Sequence, residues 1–107
     1  MRTFAIVSSL LLAATISAQT IECAYVNRDT IIDIDIRLDT LSGNLEADNR
    51  NMDLACVGQQ EGAIECQAHY SNYIYYVSLD TRRENATVSR AQNGSVRNFL
   101  AKAQCRS

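Results

Sequence analysis

The stretch Thr30-Ile-Ile-Asp-Ile-Asp-Ile-Arg-Leu-Asp39 decides the fold. Ile32, Ile34, Ile36 and Leu38 alternate with Asp33, Asp35, Arg37 and Asp39. A period of two with β-branched apolar residues is the pattern of a half-buried β-strand, apolar side in and charged side out. A slip of one residue would bury the charges, so the pairing register is strongly specified.

Working outward, the flanking segments read the same way. Ile21 to Val26 is a short strand ended by Asn27-Arg28-Asp29, and Ser42-Gly43-Asn44 reads as a turn. Met52 to Val57 is a strand, followed by a Gly-flanked turn from Gly58 to Gly62 and a strand from Ala63 to Tyr70. Ser71-Asn72 is a tight turn before Tyr73 to Asp80. Ala86 to Ala91 and Val96 to Cys105 flank Asn93-Gly94, a dipeptide suited to a type I′ hairpin turn, which needs positive φ at both central positions. The chain has no proline to interrupt a central strand. About six or seven short strands with turn signals at regular spacing predict an all-β, disulfide-stabilised antiparallel sandwich or barrel. The competing class is α+β, with a short helix in 45–56 or 98–105, where Leu, Ala, Glu, Lys and Met are good helix formers.

A faint repeat runs through the chain. Ile36-x-Leu38-Asp39-Thr40-x-x-x-Asn44 matches Val77-x-Leu79-Asp80-Thr81-x-x-x-Asn85. In both, a strand ends in Asp-Thr, and an Asp opening a turn can accept backbone N–H groups two residues on. Two hairpins of similar turn chemistry account for it, and a duplicated half-domain is the alternative.

The N-terminus sets the compartment. Met1 and Arg2 precede an apolar run from Phe4 to Ile16, and Ile16-Ser17-Ala18 ends it on small residues. The run is shorter than the roughly 20 residues a membrane helix needs. This is the layout of a secretory signal peptide over 1–18, leaving one β domain over 19–107 with no membrane span after cleavage. The expected location is extracellular, or periplasmic in a Gram-negative bacterium. Cys23, Cys56, Cys66 and Cys105 then read as two disulfides, with three possible connectivities. Each falls on the apolar phase of its strand, Cys105 in step with Phe99, Ala101 and Ala103. Cys56 and Cys66 face each other if an odd-numbered loop separates their strands. Cys23 and Cys105 lie in the first and last strands, which meet when a sheet closes. Cys23–Cys105 with Cys56–Cys66 is the favoured pairing. Cys66 and His69 have a C-x-x-H spacing, but no second metal-binding pair accompanies it, and no metal site is expected.

The formal net charge is −2, unevenly spread. Residues 22–65 carry ten acids against three arginines, and residues 80–107 carry six basic residues against two acids. Pairing between an acidic and a basic part of one sheet explains this most simply, and a basic face for an anionic partner is the alternative.

No residue set specifies an activity. His69 is the one histidine, and Glu65 lies about 13 Å away on the same strand face, too far for a direct hydrogen bond. There is no G-x-S-x-G and no phosphate-cradling glycine loop. Asp33, Asp35 and Asp39 suggest calcium, but a straight strand spreads its carboxylates about 7 Å apart, whereas calcium wants converging oxygens. No cofactor is expected. The cluster Tyr70-Ser-Asn-Tyr73-Ile-Tyr75-Tyr76 places Tyr73 and Tyr75 on the core phase and Tyr76 on the outer one. Tyr76, His69 and Arg90 are the candidate binding surface, and Asn85 and Asn93 open candidate N-glycosylation sequons.

The sequence thus reads as a small exported binding protein that inhibits a foreign hydrolase or acts as an effector on another organism. Its partner would be an extracellular protein or glycan, with no nucleic acid. A minimal extracellular ribonuclease using His69, and a cell-envelope or cell-wall structural protein, are the rival readings.

Overall fold

The computed structural model describes residues 19–106, and the signal-peptide reading of 1–18 lies outside them. Eight strands follow in order: β1 (Thr20–Val26), β2 (Ile31–Arg37), β3 (Ser42–Ala47), β4 (Arg50–Gly58), β5 (Ala63–Tyr70), β6 (Tyr73–Asp80), β7 (Asn85–Gln92) and β8 (Asn98–Arg106). Each pairs with the next, and β8 returns to β1 to close a barrel, every ladder antiparallel.

The alternation seen in the sequence becomes inside and outside of that barrel. Ile32, Ile34 and Ile36 of β2 are buried while Asp33, Asp35 and Arg37 are exposed. Leu45, Met52, Leu54, Ile64, Tyr75, Val77, Leu79 and Val88 complete the interior, with Ala86, Ala101 and Ala103 where the wall closes in. An eight-stranded barrel is just wide enough for side chains to fill, and this one is filled. A charged outside around an apolar inside is the reverse of a membrane barrel.

Ladder lengths divide the barrel into two four-stranded meanders, β1–β4 and β5–β8. β5–β6 and β6–β7 each share eight residue pairs, but β4–β5 shares four and β1–β8 three, so the two seams are the thinnest joins. Each seam holds a disulfide. Cys23–Cys105 sits in the β1–β8 seam and Cys56–Cys66 in the β4–β5 seam, in each case between directly paired residues. All four cysteines take the inward phase, Cys23 and Cys66 fully buried, Cys56 and Cys105 packed against the core from the rim. The sequence repeat falls at the same place in both meanders, the second strand and the turn after it. In the second copy Asp80 accepts the backbone N–H groups of Arg82 and Arg83; in the first, Asp39 takes the Arg37 guanidinium instead.

Three features differ from the sequence reading, at Ser42–Asn44, at Asn93-Gly94 and at Phe99, and the competing helix in 45–56 or 98–105 does not form. Ser42-Gly43-Asn44 is not a turn but the start of β3, which raises the strand number to eight. Residues 45–56 make no helix: Asp48 and Asn49 both take positive φ and form a two-residue hairpin turn between β3 and β4. Residues 98–105 belong to β8, where closure against β7 and β1 overrides helix propensity. At Asn93-Gly94 only Gly94 has positive φ, and Ser95 N–H bonds the Gln92 carbonyl, the pattern of a type II turn inside a longer loop. Finally, the β7–β8 register jumps from Val88↔Ala101 to Ser89↔Phe99, leaving Leu100 as a bulge. That extra residue reverses the phase of the strand before it. Phe99 therefore points out, 66% exposed, while Ala101, Ala103 and Cys105 point in.

Candidate functional site

The bulge at Leu100 builds the most distinctive patch of the outer wall. Register places Gln67, Tyr76, Ser89 and Phe99 in one row across β5–β8, with His69, Ile74 and Ala91 in the next. The loop from Asn93 to Arg97 arches over this wall and brings the Arg97 guanidinium 3.7 Å from the Tyr76 ring centroid. Val96 and Phe99 flank Arg97 and stand 77% and 66% exposed. Beside them a shallow groove of about 250 Å³ runs along the β4–β5 seam, lined by Val57, Gln67, His69, Tyr76 and Arg97 among others. Ser89, beneath the patch, is a buried polar residue on the outer face. Isolated exposed apolar residues are ordinary, but here two of them bracket, within four residues of chain, an arginine seated on an aromatic ring.

Tyr76 and His69 thus share one groove, and Arg90 does not join them. Arg90 pairs with Tyr75 across the sheet and takes the inward phase at the barrel end. Its Nη1 lies 2.9 Å from Asp48 Oδ2, and the Tyr75 hydroxyl donates to the same oxygen. Arg50 stacks on Tyr70 and Arg90 on Tyr73. These side chains cap the end of the barrel, tying the β3–β4 turn to β6 and β7, so Arg90 serves closure rather than the outer wall.

The cap shifts ionisation. Burial first, and the hydrogen bond to Asp48 second, raise the Tyr75 phenol above its ordinary value near 10. Hydrogen bonding to Tyr75 raises Arg50 and Arg90 in turn. A folded-state phenol pKa above the unfolded one gives stability that is full below about pH 10 and lost as pH rises through the folded value. Urea midpoints measured from pH 8 to 11 should fall at the alkaline end. In Tyr75→Phe that alkaline fall should shrink, after a loss at pH 7 of about 1–2 kcal/mol for the missing bond to a carboxylate.

The other sequence-predicted residues are dispersed. Glu65 accepts a hydrogen bond from the Ser78 hydroxyl at 2.7 Å, a partner on the neighbouring strand rather than His69. Asp33 and Asp35 stay on the outer face of β2 and Asp39 lies in the turn beyond it; among the described residues no group of three or more acids, histidines or cysteines converges as a metal site. Asn93 is exposed in the β7–β8 loop, and Asn85 is half-buried as the first residue of β7. Acidic and basic segments meet as expected of one sheet closing on itself: Arg106 pairs with Glu22, Arg82 with Glu61 and Arg90 with Asp48.

Val96, Arg97 and Phe99 were not singled out from sequence. Their signal was two large apolar residues around an arginine just after a turn, where polar residues are the rule. A strand reading starting at Val96 absorbed it.

The fold and its two seams define a small, disulfide-stapled, up-and-down β-barrel with a filled interior. No family model, curated protein or solved structure matches the chain.

Proposed function

We propose that this protein is a small secreted binding protein that engages an extracellular partner through the outer wall of β5–β8. In this reading it acts as an inhibitor of a foreign hydrolase or as an effector on another organism, without catalysis of its own. The observation that carries the reading is the exposed run Val96, Arg97 and Phe99, whose Arg97 lines the groove with Tyr76. The packed interior supports it, because recognition then falls to the outer surface. Two disulfides across the seams favour it too, since a rigid wall loses little conformational freedom on binding.

Buried aromatic anchors in protein interfaces commonly lose 2 kcal/mol or more on truncation, about thirtyfold in affinity. Phe99→Asp should weaken capture of the partner from native medium by at least that factor, and Val96→Asp by a smaller one. Because both side chains are solvent-exposed, the urea midpoint should stay put. Capture unchanged in both variants would end the reading. The ribonuclease alternative expects RNA cleavage that disappears in His69→Ala; the binding reading expects no cleavage by either protein.

A further inference from the structure

Like Arg50, Arg97 sits on a tyrosine ring and has no carboxylate partner among the described residues, but Arg50 belongs to the barrel cap with Tyr70 and Tyr75, whereas Arg97 lines the outer groove. Arg37, Arg82, Arg83, Arg90 and Arg106 each lie 2.9–3.8 Å from a carboxylate. Among the described residues Arg97 pairs with none. It is nevertheless held, its guanidinium carbon 3.7 Å above the Tyr76 centroid. Stacking uses the flat face of a guanidinium and leaves the in-plane N–H donors free, and those donors match the two oxygens of a carboxylate. Orientation by the ring removes part of the entropy that a free arginine would lose on binding.

We propose that Arg97 is the anchor for a carboxylate on a protein partner, with Val96 and Phe99 receiving apolar side chains on either side of it. This rests on the binding reading above. The occupant is thus a protein segment that carries Asp or Glu next to large apolar residues. Charge complementarity points there, because Arg97 makes no ion pair among the described residues, and Glu65, the carboxylate lining the same groove, is engaged by the Ser78 hydroxyl instead. A neutral glycan fits less well: sugars stack on aromatic faces, and a face of Tyr76 is already taken by Arg97.

Selection from a phage-displayed library of random twelve-residue peptides, with the disulfide-intact protein as bait, tests this. Enriched peptides should carry an Asp or Glu flanked by Leu, Ile, Phe or Trp. Synthetic copies should lose at least tenfold in affinity for Arg97→Gln and for Arg97→Lys, which keeps the charge but not the fork. Arg28→Gln, in the exposed β1–β2 turn, should bind as wild type. Peptides that lose binding to Phe99→Asp yet bind Arg97→Gln as tightly as wild type would overturn the carboxylate anchor and leave the docking wall standing. Peptides indifferent to both variants, or a library that yields no binder, would overturn both. A parallel glycan array giving Phe99-dependent binding that Arg97→Gln preserves would also overturn the anchor.

Discussion

Replacing Cys23 and Cys105 together by alanine should destabilise the barrel by about 4.5 kcal/mol, the chain-entropy value for a closed loop of that length. The residues joined are 82 apart in sequence, and the ladder they staple has only three residue pairs. Cys56 and Cys66 are 10 apart across a seam of four pairs. The same model gives about 2.7 kcal/mol for their removal. Small domains keep only about 5–15 kcal/mol in total, so the first loss takes a large share of it. Urea unfolding of the two double variants should show the Cys23/Cys105 pair with clearly the lower midpoint. Equal midpoints would mean that closure of β1 on β8 does not depend on the long-range staple.

The second large effect is expected at Gly43. This residue sits inside β3 between Ile36 and Leu54, on the inward phase, where a side chain would normally fill the core. A Cβ there would stand 1.9 Å from the Asp35 carbonyl oxygen and 2.9 Å from the Ile36 Cα. Both are backbone atoms of the neighbouring strand, so no rotamer change relieves the contact, and β2 and β3 would have to part. Overpacking typically costs 1–3 kcal/mol and more when the backbone must move; Gly43→Ala should lose about 3 kcal/mol or fail to fold. Gly58→Ala is the matched control. Nothing lies within 4 Å of its Cβ, and it takes no positive φ. Relief of unfolded-state entropy should leave it neutral or slightly more stable. If Gly43→Ala matched Gly58→Ala in its urea midpoint, the close approach of β2 and β3 would not be a constraint on the fold.

Much of this architecture was legible because strand alternation is a local property. Ile32, Ile34 and Ile36 state their own burial, and Ala63–Tyr70 and Tyr73–Asp80 declare both ends through the turns that bound them. The cysteine phases were legible for the same reason, and from first-and-last-strand logic came the favoured pairing that the structure forms. Gly43 was misread as a turn residue because glycine marks turns and close approaches alike, and only the neighbouring strand distinguishes them. The candidate site was half legible: Tyr76 and His69 could be placed on an outer face, but Arg90 could not be told from an outward residue without its Asp48 partner, 42 residues away.

The sequence by itself determined that the chain is built of strands with one apolar face, that its cysteines lie on that face, and where most turns fall. Local alternation and turn chemistry need no partner to be read. The tertiary structure decided that there are eight strands, that they close along two stapled seams, and that Leu100 bulges. The bulge follows from the match of β8 to β7, and closure from the meeting of β8 with β1, both relations between strands rather than properties of one. From that pairing come the outward turn of Phe99 and the seating of Arg97 on Tyr76, the features on which the proposed recognition depends.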